Sequence, residues 1–581
     1  MSSRPWVMGI SASHNGAVCL LHGNEIVVAI QEERLTRRKR ARIEAGKRCL
    51  AINYCLQAAG ISADELDLVV ASVQGAEESA AQDIDLNPSL QPARRGIQTL
   101  TIPHHQAHAY GAFATSGFED ATILVVDGVG SRSAALGPRE QAAILEPALR
   151  TGSFESTSLY AGRGHELMPL EKNMVPDGQW FRRVDGFPAF GTLGGMFSAV
   201  AEQVFGSPME AGKVMGLAPY GRPRFADGLV SCHEGRLDFG GTLPEAARCS
   251  ERWPAHPSTY QDLAASIQLA LEEALLHLVA RARALGSSRN LCYAGGVALN
   301  CIANERIIRE GGFESVYVMP AAEDSGVALG AAFHGLWSLT QRNERVRIDV
   351  DAMGSAYSEA SVEFALRSVP GIRWSRPERL EQEVATALAE GEIVGVFHGR
   401  SELGPRALGQ RSILCDPRLP DGKDRLNSRV KFREAFRPFA PVVLLEHARE
   451  WFELDGVIAD SPFMMRIVDV REPMRARIPA VVHVDGSGRL QTVTERDNPR
   501  LHRLLRAFHE RTGVPLLLNT SFNIMGEPIV ETPDDALWSL LGTGIDRCVL
   551  EDRVVGRAEG LGGGFTHVPQ IEGRAYALRG V

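Results

Sequence analysis

The sequence predicts an α/β protein of more than one compact unit. Three observations predict it: short runs rich in β-branched residues alternate with long helix-like periods, the chain has 581 residues, and a polar stretch at 341–361 separates halves of different motif content. A chain of that length exceeds one hydrophobic core and suggests about three or four units of roughly 150 residues each.

The elements follow in order. MGISAS, AVCLL and EIVVAIQ are short strands within the first 35 residues, the last two joined by a tight turn at His22-Gly23-Asn24. LDLVVASV (66–73) and ATILVVD (121–127) are further strands bounded by polar breaks. Helix-like periods run over about 259–285 and 376–390. The main boundary falls in QRNERVRIDVDAMGSAYSEAS, which sets one domain at 1–345 and a second at 355–581. No sequence repeat is evident.

Composition narrows the function. Apolar residues make up 44% and charged residues 23%, ordinary for a globular chain. No stretch reaches the roughly 18 uninterrupted apolar residues of a membrane helix. The start, MSSRPWVMGISASHNG, lacks a long apolar region after a basic one, so a cytoplasmic location without a membrane partner is expected. The nine cysteines are scattered without a CxxC pair, which fits reduced thiols better than disulfides or a zinc finger. A net charge of −9 argues against a nucleic-acid partner. Between Arg406 and Arg437, however, nine Lys/Arg stand against four Asp/Glu, and such a local cluster suits a small anion.

The first half carries candidate metal ligands. In PHHQAHAY, His104 and His108 are spaced i, i+4 and share a face on a helix. Gln106 and Ala107 replace the Glu pattern of an HExxH protease, so that reading fails. Asp127 ends the strand ILVVD before a Gly-rich turn, at a sheet edge where α/β proteins bind ligands. Asp324 precedes a helix starting near Gly326. Two histidines and two aspartates would suit iron, manganese or zinc. The alternatives are surface histidines, an N-cap at Asp324, and a magnesium-orienting role for Asp127.

YAGGVALNCIAN places Gly295 and Gly296 between a strand end and a helix start, a turn whose N–H groups suit a phosphate or adenylate, or simply a structural turn. EAGKVMGLAPYG (210–221) has the composition of a ligand-lining loop. His14, in a small-residue loop, is a candidate base or leaving-group anchor. Lys39 lies in a run of eight Lys/Arg and three acids from Gln31 to Arg48, most of which reads as a solvated face.

The second half carries an anion cradle. GPRALG contains Arg406, and KFREAFRPFAP contains Lys431, Arg433 and Arg437. Guanidinium forks match phosphate oxygens and Lys adds a point charge. Pro438 and Pro441 argue for a fixed loop. VPLLLNTSFNIMGEPIV is an apolar strand running into Asn519, Thr520, Ser521 and Asn523, whose amides and hydroxyls suit a triphosphate or a carbamoyl group.

Ten motifs in order, namely GISASHNGA, EERLTRRK, HHQAHA, VVDGVG, GKVMGLAPYG, GGVALNCIAN, PAAEDSGVALGAA, GPRALGQRSI, KFREAFRPFAP and LLNTSFNIMGEPIV, resemble the NodU/CmcH carbamoyltransferases. The resemblance covers nearly the whole chain. It implies a two-lobed fold, an actin-like (ASKHA) N-terminal domain and a YrdC-like α/β C-terminal domain. It implies that the second lobe turns carbamoyl phosphate and ATP into carbamoyladenylate. The first lobe then moves the carbamoyl group to a hydroxyl of a small secondary metabolite of antibiotic type beside an iron ion.

Carried over by motif, His104, His108, Asp127 and Asp324 would hold Fe2+ (the donor set also suits Mn or Zn), and Mg2+ would accompany ATP. His14 and Lys39 would lie near the carbamoyl group, Arg406, Lys431, Arg437, Ser521 and Asn523 would hold carbamoyl phosphate and ATP, and Gly295, Gly296 and Asn300 would contact the adenylate. Asn15 and Gln410 stand where many relatives carry Asp and Asn. Relatives also suggest a homodimer. The rival readings are a tRNA threonylcarbamoyladenosine-type modifying enzyme, a maturation factor that carbamoylates a protein cysteine, and an actin-like scaffold.

Overall fold

A computed structural model describes residues 4–44, 46–72, 74, 89–90, 97–342 and 345–558. Its contacts divide the chain into two units, Met1–Glu32 with Arg40–Ile348, and Glu33–Lys39 with the chain from Asp349 onward. The expected 1–345 domain is therefore interrupted, because the heptad 33–39 packs with the second unit. Arg34 donates to the Gly404 carbonyl at 2.8 Å, and Arg37 donates to the Ile529 and Pro528 carbonyls at 2.7 and 2.9 Å. The basic run was expected to be mostly solvated. Arg38, Lys39, Arg42, Lys47 and Arg48 are exposed as expected, and Arg34, 1% exposed, is the buried exception, its guanidinium donating to the Gly404 carbonyl.

The first unit contains two five-stranded sheets of identical plan. The first has strands β1 (Trp6–Ser11), β2 (Ala17–His22), β3 (Glu25–Gln31), β4 (Leu68–Ser72) and β5 (Gln98–Thr101) in the order β3-β2-β1-β4-β5. The second has β6 (Asp120–Val126), β7 (Ser153–Arg163), β8 (Glu166–Pro176), β9 (Asn290–Ala294) and β10 (Ser315–Val318) in the order β8-β7-β6-β9-β10. In each, three strands form an antiparallel meander and two more join in parallel. The sequence shows no repeat, yet the topology is duplicated. The central strands are buried on both faces, as their continuous apolar runs require.

Helices His104–Ser116 and Ser325–Thr340 are buried almost all round and cross closely. Glycine permits the approach: a Cβ on Gly330 would lie 1.7 Å from the Ala107 carbonyl oxygen. Among the described residues one helix, Pro257–Leu285, is long and apolar enough to cross a membrane, and 67% of its apolar window is buried within the unit.

The second unit is a nine-stranded mixed sheet. Its central strands include Val394–Phe397, Arg411–Cys415, Leu516–Ser521 and Ala440–Leu444, adjacent in that order. The predicted 376–390 period is a helix over Leu380–Ala389 that packs on helix Pro499–Thr512. The latter buries Leu501, Leu504, Leu505 and Phe508, an i, i+3, i+4, i+7 stripe.

Candidate active site

Helix His104–Ser116 presents His104 and His108 one turn apart, with ring centroids 4.7 Å apart. Asp127 follows β6 directly, where the strand leaves the sheet. Asp324 occupies the N-cap position of Ser325–Thr340 but makes no capping hydrogen bond. Its carboxylate turns instead toward the histidines. His104 Nε2 lies 3.2 Å from Asp127 Oδ2 and 3.4 Å from Asp324 Oδ1, and His108 Nε2 lies 3.8 and 3.7 Å from the same two atoms. All four residues are buried, with one ligand atom from each within 4.8 Å of the others.

The second oxygens are held. Asp127 Oδ1 accepts from the Gly128 and Gly296 amides at 2.8 and 3.2 Å, and Asp324 Oδ2 lies 3.2 Å from His14 Nδ1. Burial opposes the charged form of His104, but Asp324 and Asp127 outweigh it and hold its pKa at about 10. Burial likewise opposes the charged form of His14, and Asp324 holds that ring at about 9. Asp324 sits well below the usual carboxylate range, burial being outweighed by His14 and His104.

The donors fit a divalent cation. Ligand atoms about 2.0–2.2 Å from one metal stand roughly 3–4 Å apart, as the four His–Asp pairs here do. His108 Nε2 is buried without a hydrogen-bond partner, an atom aimed at nothing but the cluster centre.

Gly295 has φ +96°, and a Cβ there would meet the Val126 carbonyl oxygen at 2.2 Å. The Gly295–Gly296 turn thus abuts Asp127. Asn300 is an N-cap: its Oδ1 accepts from the Ala303 amide at 3.0 Å, and its amide is paired with Gln268. The helix start and Gln268 therefore already engage the side chain that the resemblance assigned to the adenylate.

In the second unit, Lys431 is 4% exposed at the end of a π-helix, Asn427–Lys431. Its ammonium donates to Ser521 Oγ at 3.2 Å, to Asn523 Oδ1 at 2.8 Å and to the carbonyls of both residues. No carboxylate faces it among its hydrogen-bond partners. Burial pushes its pKa well down, and the charges of Arg433, Arg437 and Lys39 push further. Arg437 is partly exposed, 3.9 Å from Glu434. Arg406 is half-buried in the loop before Arg411–Cys415. The structure thus brings Lys431, Ser521 and Asn523 together and places Arg437 and Lys39 in their field.

His14 lies with Asp324 in the first unit, and Lys39 belongs to the heptad that packs with the second. The reason is the anchoring of Arg34 and Arg37 described above.

Two family models match parts of the chain. "Carbamoyltransferase N-terminus" matches residues 6–84 and 243–333, and "Carbamoyltransferase C-terminus" matches 385–557. The chain belongs to the carbamoyltransferase family. Nodulation protein NolNO of Sinorhizobium fredii is 35% identical over 573 residues, covering 92% of this chain and 78% of its own. The 3'-hydroxymethylcephem-O-carbamoyltransferase of Amycolatopsis lactamdurans is 35% identical over 367 residues, 60% of this chain and 66% of its own. Among solved structures, T. kodakarensis HypF aligns with 58% of this chain and 48% of its own at 14% identity and a TM-score of 0.33.

This carbamoyltransferase carries His14 and Asp324 inside the matched N-terminal segments, whereas His104, His108 and Asp127 fall between them. Their convergence is a finding of the fold. Sequence reasoning missed Gln74 and Glu323. Gln74 donates to the Val129 carbonyl at 2.7 Å and meets His14 at 3.2 Å. Glu323 is buried and accepts from Asn15, Gln31 and Ser325. Lone polar residues paired across 55 to 308 positions leave no local signal.

Proposed function

We propose that this carbamoyltransferase uses ATP and carbamoyl phosphate to form carbamoyladenylate, and transfers its carbamoyl group to a hydroxyl of a small secondary metabolite. The observation that carries the reading is the family match on both units. The first unit is then the actin-like lobe, which its duplicated strand order supports, and the second is the YrdC-like lobe.

In the second unit, water cleaves carbamoyl phosphate to carbamate and phosphate, and a carbamate oxygen then attacks the α-phosphorus of ATP as the bond to pyrophosphate breaks. Lys431, Arg406 and Arg437 bind the phosphates and offset the charge that builds on them, while Ser521 and Asn523 orient the bound groups. In the first unit, the acceptor hydroxyl attacks the carbamoyl carbon, the bond to the AMP oxygen breaks, and carbamate ester, AMP and a proton are released. A divalent cation on His104, His108, Asp127 and Asp324 would polarise the carbamoyl oxygen or lower the hydroxyl pKa. His14, with Nδ1 3.2 Å from Asp324 Oδ2, steadies the leaving phosphate through Nε2. The Gly295–Gly296 turn would border the adenylate without donating to it, its amides being committed to the Ala322 carbonyl and Asp127 Oδ1.

The test is incubation with ATP and carbamoyl phosphate alone, following phosphate and pyrophosphate, then mass spectrometry of a panel of hydroxylated acceptors. Release that needs both substrates and is lost in Arg437→Ala is the expected result. A folded protein that releases neither, with or without acceptors, overturns the reading.

A further inference from the structure

We propose that Lys172 and Glu155, remote in sequence from every candidate ligand, are positioning residues that hold the metal-site helix and the turn after Asp127 in register. The proposal rests on the metal reading above. It starts from a deficit: helix His104–Ser116 begins after Pro103, which offers no side-chain cap. The first two amides of the helix are satisfied from elsewhere. His104 N–H donates to Ser131 Oγ at 2.7 Å, and His105 N–H donates to Glu155 Oε2 at 3.4 Å. Glu155 Oε2 also accepts from the Ser131 amide at 3.0 Å. One carboxylate oxygen thus ties the start of the helix bearing His104 and His108 to the turn that follows Asp127.

The other oxygen is fixed by a buried cation. Lys172 is fully buried, with Nζ 2.6 Å from Glu155 Oε1, 2.5 Å from Glu140 Oε2, 2.8 Å from Tyr160 Oη and 3.0 Å from Ser158 Oγ. A bulge between Glu155 and Thr157 turns Glu155 onto the face shared by Ser158 and Tyr160. His105 completes the cluster, with Nδ1 2.8 Å from Ser158 Oγ.

Two facts separate positioning from plain stability. A buried ion pair is weak evidence of stabilisation, since desolvation offsets the attraction. Metal-bound histidines are normally oriented by a hydrogen bond from the second ring nitrogen, yet the Nδ1 atoms of His104 and His108 are buried without a partner. Their placement therefore depends on the helix backbone, and on whatever fixes its first turn.

The test uses full-length protein stripped with a chelator and titrated with Co2+ against a metallochromic indicator, with the visible d–d spectrum and the apo thermal midpoint recorded in parallel. Lys172→Met and Ser131→Ala are each expected to weaken Co2+ binding about 10- to 100-fold and to change the band shape. Ser131→Ala strands no buried charge, so it folds where Lys172→Met fails. The triple variant Lys172→Met/Glu155→Gln/Glu140→Gln is expected to recover most of the affinity, because it strands no buried charge and the glutamine carbonyl at 155 still accepts from both amides. Arg306→Met, which breaks an ion-pair cluster with Glu272, Glu273 and Glu310, should lower the thermal midpoint and leave Co2+ binding alone. Wild-type affinity and spectrum in both single variants would overturn the proposal, as would an equal loss in Arg306→Met. Absence of Co2+ binding by the unmodified protein would instead overturn the metal reading beneath it.

Discussion

Replacing Lys431 with methionine should move stability and ligand affinity in opposite directions. The ammonium is 4% exposed, surrounded by four oxygens of Ser521 and Asn523, and repelled by Arg433, Arg437 and Lys39. Without an anion, burial and the neighbouring cations make the charged form of that amine costly, with no carboxylate among its hydrogen-bond partners, so its removal relieves desolvation and repulsion. The loss is limited, because Ser521 Oγ still donates to Asn523 Oδ1 at 2.6 Å. We expect ligand-free Lys431→Met to be about 1 kcal/mol more stable in urea unfolding.

A bound phosphate oxygen, by contrast, loses a charge-assisted hydrogen bond of about 1.5–3 kcal/mol, and the bare attraction at ~4 Å and an effective dielectric of ~20 is about 4 kcal/mol. The affinity for pyrophosphate or carbamoyl phosphate should therefore fall roughly 10- to 1,000-fold. Isothermal titration with each anion and the KM for carbamoyl phosphate in the release assay measure it. Unchanged affinity for both anions would refute the assignment of Lys431 to the cradle, and a large loss of stability would refute the argument that its charge is uncompensated.

Asp324→Asn should reduce divalent-ion affinity at least about 100-fold by chelator competition, abolish carbamoyl transfer and leave pyrophosphate release unchanged. Gly295→Ala should cost at least ~2 kcal/mol in urea unfolding, because φ +96° and a 2.2 Å approach to the Val126 carbonyl leave no room for a Cβ. Burial holds His334 down at about 4, against 6.5 unfolded. The unfolded chain therefore binds the extra proton between those values, and stability is lost as pH falls from 6.5 toward 4. At pH 5 the cost is about 2 kcal/mol; His334→Leu should flatten that slope in urea titrations followed by tryptophan fluorescence, and an unaltered slope would count against it.

The sequence by itself determined what rests on local pattern. Strand runs such as ILVV, the i, i+4 spacing of His104 and His108, and the apolar strand before Ser521 and Asn523 are each set within a few residues, so they were legible without a fold. The motif order also showed the family, because ten short matches in register cannot arise from composition. What only the tertiary structure decided depends on partners far apart in the chain. That Asp324 turns from its cap position to the histidines, that Asn300 is committed to capping, and that Arg34 is buried rather than solvated all follow from which groups the fold brings within hydrogen-bond reach. The heptad 33–39 joins the second unit because its guanidiniums find carbonyls at 404, 528 and 529. The Lys172–Glu155 pair was invisible for the same reason: a buried charge is recognisable only once the low-dielectric surroundings that make it costly, and the partners that offset the cost, have been assembled.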